Sequence, residues 1–272
     1  MKDVTFGQYY PVDSPIHRMD SRAKILLLIT YIVMVFFIKT FWGLALTGLF
    51  LLAVIFIAHL PLLSVLRSIK AIVFIVVLTF VINIFLHRDP AEVILWQWWK
   101  LKISDKALEF AIFMALRLIF LVIGSCILTL TTAPVALTDG IESLLKPLKI
   151  VKFPVHELAL VMSIALRFIP TLMEETQRII SAQKARGADF ESGSLIKRAK
   201  ALIPVLVPLL ISAFRRAEEL GDAMDARCYS ESKNRTKYKK LKFGLRDAIA
   251  TICVALVFCG VIYLNIAVGT VL

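Results

Sequence analysis

The chain has 272 residues, of which 59% are hydrophobic, and its mean hydropathy is +0.81. A water-soluble domain carries about 45–50% apolar residues, so this composition excludes an ordinary soluble globule and points to lipid as part of the solvent. The net charge of +12 comes from 32 Lys+Arg against 20 Asp+Glu. In a chain of long apolar runs such an excess sets membrane orientation. It does not indicate nucleic-acid binding, because the basic residues are spread among helices and not interleaved with exposed aromatics.

Met1–Lys24 is polar and turn-rich, with Gly7, Pro11 and Pro15, and it closes on Arg18, Arg22 and Lys24. It does not read as a cleavable signal, since many further apolar runs follow the first. The first predicted span is Ile25–Phe41 and the second Trp42–Leu60, with a tight turn at Lys39–Thr40. Pro61, Arg67 and Lys70 make a short basic loop before the third span, Ala71–Leu86. The connection His87–Lys106 holds Trp96, Trp98 and Trp99, which suit a membrane–water interface or a small packed lid. The fourth span is Ala107–Leu130, and for Arg117 inside it a structural role within the bundle is expected. The last span is Leu245–Val268.

The fold class that follows is an all-α polytopic membrane protein with about five spans and a cytoplasmic domain of long kinked helices. Residues 1–24 form a cytoplasmic N-terminal segment, 25–131 spans one to four, 132–242 the cytoplasmic helices and 243–272 the fifth span. Basic residues concentrate in the N-terminal segment, the Arg67/Lys70 loop and Thr131–Lys242, which places these in the cytoplasm and the C-terminus outside.

Within the basic region, two segments read as continuous helices of roughly 50 Å each, Val155–Arg186 and Leu195–Arg227. Pro170, Pro204 and Pro208 should bend them. Leu158–Met173, with Arg167 and Pro170 inside it, and Ala201–Phe214, too short to span, read as helices in or under the membrane surface and not as full spans. The two arms close on matching patterns, Ala185-Arg186-Gly187 and Ala226-Arg227-Cys228. Leu172, Thr176, Ile179, Gln183 and Arg186 are spaced 4, 3, 4, 3, as are Ala213, Ala217, Leu220, Met224 and Arg227. Each arginine therefore continues the less polar stripe of its helix. Glu218, Asp222 and Asp225 form an acidic stripe on another face. One terminal arginine could simply complement a helix dipole. Two matching small-Arg-small tips suit docking into two similar pockets, where a planar guanidinium binds carboxylate bidentately.

No G-x-x-x-x-G-K-[ST] phosphate loop, H-E-x-x-H, G-x-S-x-G or G-x-G-x-x-G occurs. The four cysteines and four histidines show no metal-ligand spacing and no disulfide framework. No acidic residue lies between Asp20 and Asp89, which argues against a stand-alone proton-coupled carrier. A membrane enzyme or scaffold with a basic cytoplasmic face is the other rival.

Three stretches carry a resemblance that covers nearly the whole chain. They are Phe6–Lys24, Leu166–Leu172 followed by Glu174 and Glu175, and the two Ala-Arg tips. The chain closely resembles the T components (EcfT) of bacterial energy-coupling factor (ECF) transporters, the CbiQ-like family. The resemblance implies a non-catalytic coupling subunit in the bacterial cell membrane with no cofactor of its own. ATP would be bound by two partner ABC-type ATPases, EcfA-like and EcfA′-like, and a separate S component would carry the vitamin. It implies that Arg186 and Arg227, flanked by Ala185, Gly187, Ala226 and Cys228, insert into grooves on those ATPases. It also implies an apolar surface for the S component, here placed on Leu202, Val205, Leu206, Leu209 and Leu210. The second tip departs from the family pattern, which usually ends in Gly. Cys228 adopts the left-handed conformation less cheaply, so the second arm is expected to end differently and run on toward Ser230.

Overall fold

The computed structural model describes residues 9–86, 94–98, 101–151, 154–190, 194–229 and 243–267. The chain divides into two compact units, Met1–Phe153 with Leu241–Leu272, and Pro154–Lys240.

The first unit is a helical bundle. Its helices are α1 (Ser21–Phe37), α2 (Phe41–Ile57), α3 (Leu62–Leu86), α4 (Asp105–Thr131), α5 (Pro134–Leu145) and the C-terminal Leu245–Ala267, and a short 3-10 segment (Lys146–Val151) follows α5. Each boundary has a local cause. Asp20 caps α1 by accepting from the Arg22 amide at 2.9 Å, and Thr40 caps α2 by accepting from Gly43 at 3.2 Å. Pro134 opens α5, where a missing N–H costs nothing. Between α3 and α4 the chain forms a short antiparallel hairpin, β1 (Ile94–Trp98) with β2 (Leu101–Ser104). The side chains of this connection, including its three tryptophans, lie outside the described residues.

α1 is central and packs on α4, α5 and the C-terminal helix; α2 packs on α4 and that helix, and α3 lies along α4. The core is apolar, built on Met34, Val35, Ile38, Leu44, Phe113 and Val261. One close approach depends on glycine. A Cβ at Gly124 would stand 2.3 Å from Cε1 of Tyr31, whose hydroxyl donates to the Phe120 carbonyl at 2.9 Å. Large apolar residues such as Phe36, Phe56, Phe74 and Leu256 are exposed on the outside, as lipid contact requires.

Polar side chains tie both ends of this bundle. At one end, Asn265 donates to the Phe37 carbonyl at 2.7 Å and accepts from the Lys39 amide at 3.1 Å. Arg117, from α4, donates to the neighbouring Ile38 carbonyl and lies 4.8 Å from the Phe113 ring centroid. The expected structural role of Arg117 is thus a helix cap supplied from another helix. At the other end, buried Lys24 donates to the Thr131 carbonyl at 2.8 Å and to Thr132 Oγ1 at 3.3 Å. Buried Asp247 accepts from the amides of Asp20 at 3.0 Å and Gly244 at 2.8 Å.

The second unit consists of two long helices, α6 (Val155–Ala185) and α7 (Leu195–Ala226), which continue through Pro170, Pro204 and Pro208. The C-terminal helix Leu245–Ala267 is α8 in chain order. By length and composition alone, α3, α4, α6 and α8 could each cross a bilayer, and α2 is a shorter apolar helix. Three of these four, α3, α4 and α8, stand in the bundle beside the 17-residue α1 and α2, in keeping with the polytopic all-helical class expected of the sequence. α5 and the 3-10 segment belong to the bundle unit, and the second unit begins at Pro154.

Candidate functional site: the paired arms and their tips

The two arms meet along the stripes singled out by their spacing. Leu172, Thr176, Ile179 and Gln183 on α6 are half-buried, as are Ala213, Leu220 and Met224 on α7, while Ala217 is exposed. Val205 and Ser212 on α7 are buried. Amphipathic helices of this kind gain stability by covering such stripes, since an isolated helix in water is marginal.

Two polar contacts fix the alignment. Arg216 Nη2 donates to Glu175 Oε2 at 2.7 Å. Buried Ser212, one turn before Arg216 on α7, is the leading cause that holds the Glu175 pKa below its usual value, with Arg216 and Arg215 adding to it and desolvation opposing. Further along, Gln183 Nε2 donates to the Pro204 carbonyl at 3.5 Å. That carbonyl would ordinarily accept from the amide four residues on, but position 208 is proline and has no N–H. Gln183 therefore occupies an acceptor that Pro208 leaves open. Residue numbers rise along α6 as they fall along α7, so the arms run antiparallel and their tips lie at opposite ends of the pair.

Both tips end in the same backbone geometry. At the first, the Ala188 amide donates to the Gln183 carbonyl at 2.9 Å and the Gly187 amide to Lys184 at 3.0 Å, with Gly187 at φ 85°. At the second, the Tyr229 amide donates to Met224 at 3.0 Å and the Cys228 amide to Asp225 at 2.9 Å, with Cys228 at φ 51°. These are matching Schellman-type caps. The expectation of a different second ending is corrected: α7 stops at Ala226, and Cys228 takes the left-handed conformation that glycine takes in the first tip. The six-to-one bond and its companion outweigh the Cβ strain, which costs about 1–2 kcal/mol. Arg186 and Arg227 are exposed, as are Ala185, Gly187, Ala226 and Cys228.

A family profile described as CbiQ, cobalt transport protein, matches residues 13–238. The chain belongs to the CbiQ family. It is 49% identical over 251 residues to the energy-coupling factor transporter transmembrane protein EcfT of Ruminiclostridium cellulolyticum, covering 92% of this chain and 93% of that protein. It is 50% identical over 259 residues to the EcfT of Clostridium kluyveri, covering 95% of this chain and 96% of that protein. The EcfT of Bacillus subtilis is 45% identical over 248 residues, 91% of this chain and 92% of that protein. As a CbiQ-family chain this is a polytopic membrane transport protein, and the family match runs through both arms and both tips.

The apolar surface assigned from sequence is exposed in part. Leu202, Leu206 and Leu210 are exposed, but Leu209 is half-buried and Val205 is 3% exposed, so Val205 is unavailable to a partner in this conformation. The exposed ridge instead pairs Leu202 with Ile203, Leu206 with Val207, Leu210 with Ile211, and ends at Phe214. Glu175, Arg216 and Ser212 carried no assigned role in the sequence reading. Arg216 lies three residues after Ala213 and four before Leu220, on the stripe itself, which is the signal that a charged residue there must find a partner.

Proposed function

We propose that this chain is the transmembrane coupling (T) subunit of an ECF-type importer, joining ATP hydrolysis by two partner ATPases to uptake of a vitamin or other micronutrient through a separate S component. The observation that carries the reading is the pair of like-capped tips, each presenting an exposed arginine at an opposite end of one clasped helix pair. A guanidinium held beyond a helix end by a tight cap is preorganised to enter a groove and meet carboxylate or backbone carbonyl groups. Two such tips suit a partner with two related subunits. The names of the EcfT relatives support the same reading.

In this account the arms and the N-terminal segment are cytoplasmic and the C-terminus extracellular, as the distribution of basic residues requires. The subunit is non-catalytic and binds no cofactor, and the nucleotide sits in the ATPases. The exposed ridge Leu202–Phe214 offers an apolar face for the S component.

The test is uptake of radiolabelled riboflavin by proteoliposomes holding this chain, its two ATPases and a riboflavin-binding S component. The double variant Arg186→Ala/Arg227→Ala should insert normally and lose ATP-driven uptake. Uptake at the wild-type rate would refute the role of the tips.

A further inference from the structure

The ion pair between the arms occupies a particular place. Glu175 stands eleven residues before Arg186, and Arg216 stands eleven residues before Arg227. Each tip is therefore about 16 Å of helix from the same contact. All three prolines of the arms lie on the other side of it: Pro170 precedes Glu175, and Pro204 and Pro208 precede Arg216. The segments between contact and tip are unbroken helix, the stiffest form the chain offers, whereas the segments behind it contain the residues that bend helices.

The contact is built for precision. The Arg216 and Glu175 side chains are only 33% and 24% exposed, which limits screening by salt, and Ser212 beside them is buried. A short arginine–carboxylate bond is directional as well as strong. Next to it Ser212 and Ala213 keep the bulk of α7 small, so the helices can approach closely there.

We propose that Glu175, Arg216 and Ser212 form the fulcrum of the two arms. They are positioning residues that hold the crossing point, so that displacement of one tip is passed to the other. This inference rests on the reading of the tips as ATPase contacts. The equal, proline-free levers set the separation between the arginines, and the clasp keeps that separation single-valued. Without the clasp the arms still pack through Leu172, Ile179, Leu220 and Met224, but they slide and rotate about an apolar seam, because hydrophobic contact is not directional.

Two measurements test this. In the full-length chain, spin labels at Ser181→Cys and Gly221→Cys, with the native exposed cysteines replaced by serine, report the distance between the two levers by pulsed electron resonance. Both positions are exposed, and a Cβ at Gly221 meets nothing within 4 Å. Glu175→Gln and Arg216→Gln should each broaden or shift this distribution. In proteoliposomes with the ATPases and a riboflavin-binding S component, each variant should lower riboflavin taken up per ATP hydrolysed by about five-fold or more, the scale of ordinary coupling energies. Copurification of the ATPases should be unchanged. The swap Glu175→Arg/Arg216→Glu should recover both readouts to within about two-fold, as a pairwise interaction requires. An unchanged distance distribution and uptake-to-hydrolysis ratio in both single variants would overturn the fulcrum. So would a loss of uptake that merely follows loss of ATPase binding. If instead Arg186→Ala/Arg227→Ala transports normally, the tip reading has failed, and the distance measurement still decides the clasp separately.

Discussion

The guanidinium of Arg117, twelve residues into α4, donates to the backbone carbonyl of Ile38, the C-cap residue just beyond α1. A charge inside an apolar span is expensive, and this one is retained where a helix end leaves carbonyls without partners. Arg117→Leu should therefore destabilise the bundle by about 1–3 kcal/mol, the cost of orphaning a buried acceptor. Arg117→Lys should recover part of that loss. Thermal unfolding in detergent micelles reads both, and an unaltered transition in Arg117→Leu would show that water or lipid satisfies the carbonyl equally well.

Tyr31 and Gly124 make a second, steric test of the bundle. The ring occupies the space that any side chain at position 124 would need. Gly124→Val should cost about 1–3 kcal/mol by overpacking. Combining it with Tyr31→Ala, which vacates that space, should cost less than the sum of the two single changes. Additive losses in the same unfolding assay would mean that the two residues do not meet.

The turn before α1 carries a pH dependence. His17 Nε2 donates to the Tyr10 carbonyl at 3.0 Å, which leaves Nδ1, 2.8 Å from Ser14 Oγ, to accept in the neutral ring. Burial is the leading cause that pushes the His17 pKa below its usual 6.5, with Lys24 adding to it and hydrogen bonds to backbone carbonyls opposing it. A lowered folded-state pKa means that the unfolded chain takes up its proton first as pH falls. The stabilisation is complete above about pH 6.5 and is lost as pH drops from there toward the folded value. The unfolding temperature should fall between pH 7.5 and pH 5.5, and His17→Gln should shrink that difference. An identical pH profile in the variant would remove His17 from the account.

At the second tip the left-handed residue is Cys228, at φ 51°. Cys228→Gly removes the Cβ strain while keeping both cap hydrogen bonds, and should stabilise the tip by about 1 kcal/mol. Amide hydrogen exchange at Tyr229, the donor of the long cap bond, should slow accordingly. Faster exchange would mean that glycine's added freedom outweighs the relief of strain.

Much of this architecture is legible in the sequence. The apolar runs placed the bundle helices because lipid demands continuous hydrophobicity, and the 4–3 spacing found the stripes along which the arms meet. The tip arginines were visible because each continues its stripe. The ridge on α7 is legible only in part: Leu202, Leu206 and Leu210 are exposed, whereas Val205 and Leu209 lie about 100° around the helix from them. The helix is apolar on nearly every face between Leu202 and Phe214, and nothing local says that Val205 turns inward while Ile203, Val207 and Ile211 stay outside. Hydropathy also could not reveal the buried polar ties. Asp247 accepts from Asp20 across 227 positions of sequence, and Lys24 reaches the carbonyl of Thr131 107 positions away. Such pairings exist only once the helices are packed. The ending at Cys228 is hidden for another reason: the cost of a left-handed cysteine is local, but the hydrogen bonds that offset it exist only in the folded cap.

In the proposed function each arginine tip holds one ATPase. Native mass spectrometry of the purified complex, comparing wild type with Arg186→Ala, Arg227→Ala and the double variant, counts those contacts directly. Two ATPase subunits should accompany the wild-type chain, with one contact weakened in each single variant and both lost in the double. Two ATPases retained by the double variant, at wild-type occupancy, would contradict the account.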